Sequence, residues 1–312
     1  MEKCQENRTS HHSFRVTSLK TPGKINLYLR VTGKRQDGYH EIETIFLPLK
    51  DIHDTILISP STADKITISS SSLDIPLDEN NLCYKAAKRY SGVSGITASW
   101  DIQIIKNIPV TAGMGGGSSD AAAVLLILQK ICNKLSAKEL YNIATELGAD
   151  VPYFLNPVPS VGRGIGDILE PIPFKNSFAI VILAPQFPIS AAWAYKHLEK
   201  NNSKYSIQDI LKSMRSDSTK NIASMIYNDL SFTLYKKFPI LEILKNDLLD
   251  AGTLNAEITG SGPTLFGICN STDEAKNIME KIKTKYKDTV LCKFSEILTG
   301  PNSICIDEEI VG

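Results

Sequence analysis

Apolar and polar residues alternate along most of the first part of the chain. A period of two with many β-branched residues is typical of half-buried strands, and five segments show it: residues 14–20, 25–33, 41–48, 54–60 and 65–70. Gln36-Asp37-Gly38 separates the second and third segments and has the composition of a tight turn. The pattern therefore predicts that the chain opens as a β-sheet.

Helical patterns follow this strand-rich region. The spacing of apolar residues predicts a short helix over 81–91, a strand over 98–106 and an Ala/Leu-rich helix from about residue 117 to 132. A further helix is expected to begin at Ser136, because Glu139 lies three residues later and completes a capping box. The middle of the chain is therefore predicted to be mainly helical.

Residues 151–175 are rich in proline and glycine, and we place a domain boundary near the end of this segment. Beyond it the sequence predicts a strand (FAIVILAP), helices to about residue 252, strands LNAEI and TLFGIC around a glycine turn, a helix over 272–286 and a strand (TVLCKF). Such an alternation suggests an α+β second domain. The predicted division is a polar N-terminal arm over 1–13, one domain over 14–174 and another over 175–312.

Composition narrows the classes of function. The chain has 312 residues and a formal net charge of zero, which gives no general electrostatic reason to bind nucleic acid or an anionic membrane. It has no long apolar run and no apolar signal-peptide core. The six cysteines form no C-x-x-C pair, which argues against a zinc site or a disulfide scaffold, and His11-His12 has no third ligand nearby. We therefore expect a cytoplasmic protein without a metal centre of its own.

A glycine-rich loop is the strongest chemical signal. Residues 108–120 (IPVTAGMGGGSSD) place four glycines in five positions, followed by two serines and the predicted Ala/Leu-rich helix. Glycines let the backbone approach a ligand closely, and the free N–H groups of a helix N-terminus attract anions, so the loop predicts a phosphate site. It lacks the lysine of a Walker A loop and the spacing of a Rossmann fingerprint. The remaining alternative is a glycine-rich turn without a ligand.

Three segments together resemble the three motifs of the GHMP kinases in order and spacing: residues 21–27 (TPGKINL), the glycine loop, and residues 258–267 (ITGSGPTLFG). Two more segments, residues 31–44 (VTGKRQDGYHEIET) and 147–154 (LGADVPYF), are similar to the branch of that family that phosphorylates 4-diphosphocytidyl-2-C-methyl-D-erythritol. The likeness covers roughly residues 20 to 300.

The resemblance implies an α+β fold of two domains. The N-terminal domain would be like ribosomal protein S5 domain 2 and the C-terminal domain ferredoxin-like, with the active site in the cleft between them. It also implies transfer of phosphate from ATP to the 2-hydroxyl of the cytidyl substrate, giving the 2-phosphate and ADP, in the non-mevalonate isoprenoid pathway. Mg²⁺ would be held mainly by the ATP phosphates. The expected partners are small molecules, with no nucleic acid and no membrane, and the chain is expected to be a monomer or weak homodimer.

The resemblance also assigns roles to individual residues. Asp150 is the expected base and Lys24 the group that stabilises developing charge, while Asn26 would position the hydroxyl. Tyr39 and Tyr195 would stack on the two faces of the cytosine, and His40 would contact its edge. Taken singly, an Asp after Gly-Ala is usually a turn residue, most lysines are solvated, and Tyr and His are often structural.

The remaining expected contacts fall in the two glycine segments and near them. The residues expected to bind ATP are Asn81, Lys106, Pro109, Ala112, Gly113, Met114, Gly115, Gly116, Gly117, Ser118 and Ser119, and those expected to face the acceptor from the second domain are Gly260, Ser261 and Gly262. Three positions depart from the family pattern, with Met114 replacing a common Leu, Thr111 a small residue and Ala191 a common Thr.

Three other functions compete with this interpretation. A phosphomevalonate-type GHMP kinase would be expected to carry basic residues where Tyr39, His40 and Tyr195 stand. A ligand sensor of the same fold would be expected to lose Lys24, Asp150 or the glycine loop, all of which are present. A nucleic-acid-binding protein with an S5-like domain is disfavoured by the zero net charge.

Overall fold

A computed structural model describes residues 14–199, 203–216, 218–287, 289–300 and 306–311 of the chain. The predicted polar arm over 1–13, with His11 and His12, lies outside the described residues. The strands are β1 (Phe14–Lys34), β2 (His40–Pro60), β3 (Ile66–Ser70), β4 (Trp100–Ile105), β5 (Ser160–Arg163), β6 (Ile168–Pro171), β7 (Ala179–Pro185), β8 (Tyr227–Asn228), β9 (Asn255–Ile258), β10 (Leu265–Cys269), β11 (Val290–Glu296) and β12 (Ile306–Val311).

The helices of the described residues are α1 (Leu82–Ser94), α2 (Gly116–Cys132), α3 (Ala137–Leu147), α4 (Val151–Phe154), α5 (Ala191–Lys196), α6 (Ile207–Arg215), α7 (Thr219–Met225), α8 (Ser231–Lys237), α9 (Ile240–Ala251) and α10 (Thr272–Tyr286). The predicted capping box is confirmed: the Ser136 side chain accepts from the Glu139 backbone N–H, and the Glu139 carboxylate accepts from the Ser136 N–H. α10 has the predicted bounds.

The first sheet has the strand order β12-β1-β2-β4-β3, with β5 and β6 added beside β2 and β8 beside β1. β1 and β2 are each one long strand where the sequence predicted two, because they pair with each other along most of their length. Register shifts at Pro22/Lys24, Asn26/Tyr28 and Val31/Gly33 bend the pair without ending it. Helices α1, α2 and α3 share one apolar core with β2, β3 and β4.

The second sheet is antiparallel, with the order β11-β7-β10-β9. Numbered within this half of the chain, the order is 4-1-3-2, the arrangement of a ferredoxin-like fold, and α9 and α10 pack against it. The predicted α+β class and the ferredoxin-like C-terminal half are therefore confirmed.

The two sheets are joined by a common core. Ile25 and Leu47 of the first sheet belong to the same buried cluster as Ile182 and Phe266 of the second. β12 also returns to pair antiparallel with β1. The proposed boundary between residues 174 and 175 stays a prediction, since the final strand lies in the first sheet.

Candidate active site

Two cavities adjoin at the glycine loop. The larger, which we call the acceptor cavity, has a volume of about 830 Å³, and its lining includes Lys24, Asn26 and Asp150. The smaller, which we call the nucleotide cavity, has a volume of about 380 Å³, and its lining includes Asn81 and Lys106. Gly113, Gly115 and Ser118 line both cavities, so a group held at the loop can be reached from either side.

The glycine loop needs its glycines for conformation and for space. Gly113 and Gly115 have φ angles of 76° and 74°, in the left-handed region that favours glycine. A Cβ atom on Gly115 would lie 2.8 Å from the Phe154 ring. α2 begins at Gly116, and its first turn carries N–H groups without helical partners on the wall of the nucleotide cavity. This is the geometry of an anion site at a helix N-terminus.

Lys24 and Asp150 lie together in the acceptor cavity. The Lys24 Nζ is 3.5 Å from Asp150 Oδ2 and donates to Asn26 Oδ1 at 2.7 Å. It lies 5.2 Å from the centre of the Phe46 ring. The Lys24 side chain is 5% exposed and that of Asp150 32% exposed, so the carboxylate is open to a ligand while the ammonium is enclosed.

Backbone and side-chain contacts fix this pair relative to both glycine loops. The Lys24 N–H donates to the Met114 carbonyl at 3.0 Å, which ties β1 to the loop. The Asn26 N–H donates to the Thr259 hydroxyl at 2.9 Å, which ties β1 to the second domain. The Asn26 side-chain amide donates to Thr44 at 2.8 Å. Lys24 and Asn26 are therefore held by contacts to both glycine loops and to β2.

The aromatic residues expected to hold a cytosine lie in the acceptor cavity, but in a different arrangement from the expected one. His40 stacks on Tyr195 with ring centres 5.3 Å apart and planes at 24°, and Tyr39 is 60% exposed. A base between Tyr39 and Tyr195 therefore requires the His40 ring to move aside, and the stacking roles stay predictions. Burial, with a further contribution from the Asp150 charge, raises the pKa of the Tyr195 phenol. Lys34 and Lys196 add positive charge to the same lining.

The expected ATP-binding residues line the nucleotide cavity with two exceptions. Those that line it are Asn81, Lys106, Pro109, Ala112, Gly113, Gly115, Gly116, Gly117 and Ser118. Asn81 also caps α1 by accepting from the Cys83 N–H at 2.8 Å. Met114 is fully buried, and the Ser119 hydroxyl is buried and donates to the Pro22 carbonyl at 2.7 Å. The structure thus gives both of these side chains a packing role.

From the second domain, Gly260 and Ser261 line the acceptor cavity, whereas Gly262 does not. A Cβ on Gly262 would meet the Ile258 and Leu234 side chains, which places this glycine against the core of the second domain. Ala191 lines the acceptor cavity at the start of α5, so the position that commonly carries Thr does face the ligand space.

Sequence reasoning did not find several residues that shape the site. Phe46 and Thr44 contact Lys24 and Asn26 across the β1–β2 pair. Asp54 pairs with Lys106, which also pairs with Asp120 at 2.8 Å. Thr44 and Asp120 stand within the quoted motifs, but only strand register and helix position show which groups they contact.

The described part of the chain contains no group of three or more His, Cys, Asp or Glu side chains that could hold a metal ion. The donors at the glycine loop are N–H groups, which suit anions rather than cations. Among these same residues, no helix is long and apolar enough to cross a membrane.

Two family models match the chain. The model described as GHMP kinases N terminal domain matches residues 81–156, and that described as GHMP kinases C terminal matches residues 210–288. The chain is 38% identical over 262 residues to a protein of Chlorobium phaeobacteroides named 4-diphosphocytidyl-2-C-methyl-D-erythritol kinase, covering 83% of this chain and 88% of the relative. It is 38% identical to a protein of the same name from Clostridium kluyveri, covering 88% of this chain and 99% of the relative.

Two solved structures are also similar to this chain. A crystal structure of 4-(cytidine 5'-diphospho)-2C-methyl-D-erythritol kinase matches 91% of this chain and 100% of its own with a TM-score of 0.77 and 28% identity. A homoserine kinase from Cytophaga hutchinsonii matches 98% of this chain and 100% of its own with a TM-score of 0.71. The latter is 18% identical and therefore bears on the fold alone.

Proposed function

The chain belongs to the 4-diphosphocytidyl-2-C-methyl-D-erythritol kinase family of the GHMP kinases, and we propose that it transfers the γ-phosphoryl group of ATP to the 2-hydroxyl of 4-diphosphocytidyl-2-C-methyl-D-erythritol. The products are ADP and the 2-phosphate, an intermediate of the non-mevalonate route to isoprenoids. The observation that carries the mechanism is the Lys24–Asp150 pair, 3.5 Å apart in a cavity that meets the nucleotide cavity at the glycine loop.

Each group in the pair has one task in phosphoryl transfer. The acceptor hydroxyl oxygen attacks the γ-phosphorus, the bond from that phosphorus to the β–γ bridging oxygen breaks, and ADP leaves. Asp150 orients the hydroxyl and accepts its proton, while the Lys24 ammonium stabilises the charge that develops on the transferring group. Asn26 Oδ1 accepts a hydrogen bond from the Lys24 ammonium at 2.7 Å and so helps to hold the ammonium in place beside Asp150.

ATP occupies the nucleotide cavity with its phosphates at the loop. The N–H groups at the start of α2 and the backbone of Gly113 and Gly115 supply the anion site. Mg²⁺ would enter with ATP and would be held mainly by the ATP phosphates, because the loop offers N–H donors. The ion supplies charge neutralisation at the phosphates.

The remaining lining of the acceptor cavity suits a cytidine diphosphate. Tyr39, His40 and Tyr195 offer aromatic surface to a pyrimidine, and Lys34 and Lys196 offer positive charge to a diphosphate. The protein acts in the cytoplasm on small molecules, as a monomer or weak homodimer, without nucleic acid or membrane partners.

A coupled assay of ADP release with Mg·ATP tests the proposal. We expect turnover with the cytidyl substrate and none with methylerythritol 4-phosphate, mevalonate 5-phosphate or homoserine. Asp150→Asn should lower kcat by about 10²- to 10⁴-fold, because the base is lost while the shape is kept. Asp273→Asn, at an exposed position in the first turn of α10, is the matched control and should retain activity. Turnover with a different acceptor alone, or full activity of Asp150→Asn, would refute the proposal.

A further inference from the structure

Three ionisable side chains lie buried together beside the nucleotide cavity, apart from the Lys24–Asp150 pair. The Lys106 ammonium pairs with Asp54 and, at 2.8 Å from Oδ2, with Asp120. The side chains of Lys106, Asp54 and Asp120 are 5%, 0% and 4% exposed. Burying charges is costly even when they are paired, so two carboxylates around one ammonium call for an explanation beyond stability.

The triad connects the sheet to α2 beside the nucleotide cavity, and two of its members, Lys106 and Asp120, line that cavity. Asp54 lies in β2 and accepts from the backbone N–H of Ile108, at 2.8 Å, and from that of Asn107. Lys106 directly follows β4, and Asp120 lies in the second turn of α2. The position of the ammonium is therefore set from the sheet on one side and from the helix on the other.

Gly116 shows where the ammonium lies. It is the first residue of α2, and a Cβ atom placed on it would be 3.3 Å from the Lys106 Nζ. The ammonium therefore lies against the helix turn whose free N–H groups form the anion site. Gly116, Lys106 and Asp120 all line the nucleotide cavity. Since the helix N-terminus carries a partial positive charge, the ammonium adds to its attraction for anions.

We propose that Asp120 is a positioning residue for ATP. Together with Asp54 it holds the Lys106 ammonium against the first turn of α2, where the ammonium attracts the phosphates of ATP rather than its adenine. The inference rests on the proposed function only in taking ATP as the nucleotide. It assigns the Lys106 side chain to the phosphate end of the nucleotide, a finer role than the general contact with ATP that the family resemblance implies.

The protonation of Asp120 sets the net charge of the triad. Burial raises the pKa of Asp120 to about 8, with Asp54 adding to the rise and Lys106 opposing it. Its Oδ1 has no hydrogen-bond partner in the described residues. The other titratable groups that face the triad are the Cys83 thiol of α1, whose pKa burial and Asp120 raise, and Lys293 of β11, whose pKa burial lowers and Asp54 raises in part.

The sign of the pH effect follows from this charge balance. With Asp120 protonated, Lys106 and Asp54 cancel and the triad is neutral. Once Asp120 loses its proton, the triad carries one net negative charge beside the phosphate site. The affinity for ATP should therefore fall as the pH rises through about 8.

Nucleotide binding, measured without the acceptor, shows whether Lys106 contacts the phosphates of ATP or its adenine. In titration calorimetry for ATP and competition titration for adenosine, Lys106→Met should raise the Kd of ATP by about tenfold and leave that of adenosine unchanged. Lys130→Met, exposed in the last turn of the same helix, is the control and should change neither. An equal rise in the Kd of ATP and of adenosine would place Lys106 at the adenine and overturn the proposal.

The pH profile tests Asp120. Asp120→Asn has the same shape but no titrating group, so its affinity for ATP should stay the same between about pH 7 and about pH 9, whereas that of the wild type should fall over this range. The same pH dependence in both proteins would overturn the proposal. If Lys106→Met does not fold, Lys106→Met/Asp120→Asn removes both charges and is compared with Asp120→Asn in the same two titrations. Because the acceptor is absent from these titrations, their outcome does not depend on whether the protein phosphorylates the proposed substrate.

Discussion

Lys24 is a buried lysine in a site that must admit a substrate, and its neighbours explain how both conditions are met. Asn26 Oδ1 accepts from its ammonium at 2.7 Å, and Asp150 lies at 3.5 Å on the open side. The Phe46 ring lies beside it at 5.2 Å from the ring centre. A buried ammonium is tolerated only when its donors find partners, and Asn26 is the nearer of these two acceptors, which leaves Asp150 available for its proposed contact with the hydroxyl.

Replacing Asn26 by alanine tests this division of tasks. Asn26→Ala leaves Lys24 without its nearest acceptor and Thr44 without a donor, so kcat should fall by about 10- to 100-fold. The KM for ATP should change little, since Asn26 does not line the nucleotide cavity. Steady-state kinetics with each substrate varied would measure both. Asn270→Ala, on a remote turn before α10, is the control. A rise in the KM for ATP without a fall in kcat would contradict the assignment.

At this scale the sequence predicts residue types at the site better than it predicts their tasks. The proposed phosphate loop is predicted by local composition, since glycines let the backbone approach a ligand and the helix that follows them offers free N–H groups. Ser119 and Met114 belong to the same motif, yet both are buried and pack. Which loop residues face the cavity depends on how α2 lies on the sheet, and that is set by distant residues such as Pro22, the acceptor of the Ser119 hydroxyl.

The two glycine segments form one structural element at the junction of the cavities. A Cβ on Gly113 would lie 2.5 Å from the Thr259 carbonyl oxygen, and one on Gly260 would lie 2.9 Å from the Gly113 carbonyl oxygen. Both glycines also have positive φ angles, 76° and 56°. The loops of the two domains therefore approach each other backbone to backbone, which any side chain would prevent.

Gly113→Ala should disrupt this contact. It introduces both a steric clash with Thr259 and a strained φ, so we expect the free energy of unfolding to fall by about 1–3 kcal/mol and kcat/KM to fall with it. Gly117→Ala is the matched control in the same motif. Its nearest neighbour would be Leu82 at 3.7 Å, and alanine favours a helix, so its thermal midpoint should be unchanged or higher. Equal loss of stability in both variants would contradict the proposed backbone contact.

The helices and strands differ in how well local sequence predicts them. α3 and α10 begin at residues with clear capping signals, and α10 has the predicted bounds. The hairpin of β5 and β6 was missed, because it lies in the proline- and glycine-rich segment that suggested a boundary. β5 is a strand because it pairs with β2, more than 100 residues earlier. Pairing between distant segments leaves little trace in local periodicity.

The whole molecule depends on a core that both sheets share. Phe266 of β10 is fully buried in the cluster that also contains Ile25 of β1 and Ile108 beside the nucleotide cavity. Ile108 in turn donates its backbone N–H to Asp54 of the Lys106 triad. A residue of the second domain thus helps to support the wall of a cavity whose lining comes from the first.

Phe266→Ala tests whether the two halves unfold together. Removing a fully buried phenylalanine should cost about 3–5 kcal/mol, and because the core is shared, the loss should reach the nucleotide cavity. We expect one thermal transition at a lower midpoint, with ATP binding lost in that same transition, as measured by circular dichroism and titration calorimetry over temperature. Phe232→Ala, at a residue 47% exposed on α8, should change the free energy of unfolding by about 0.5 kcal/mol or less. Two separate transitions, with ATP still bound after the first, would show instead that the first domain is stable without the second.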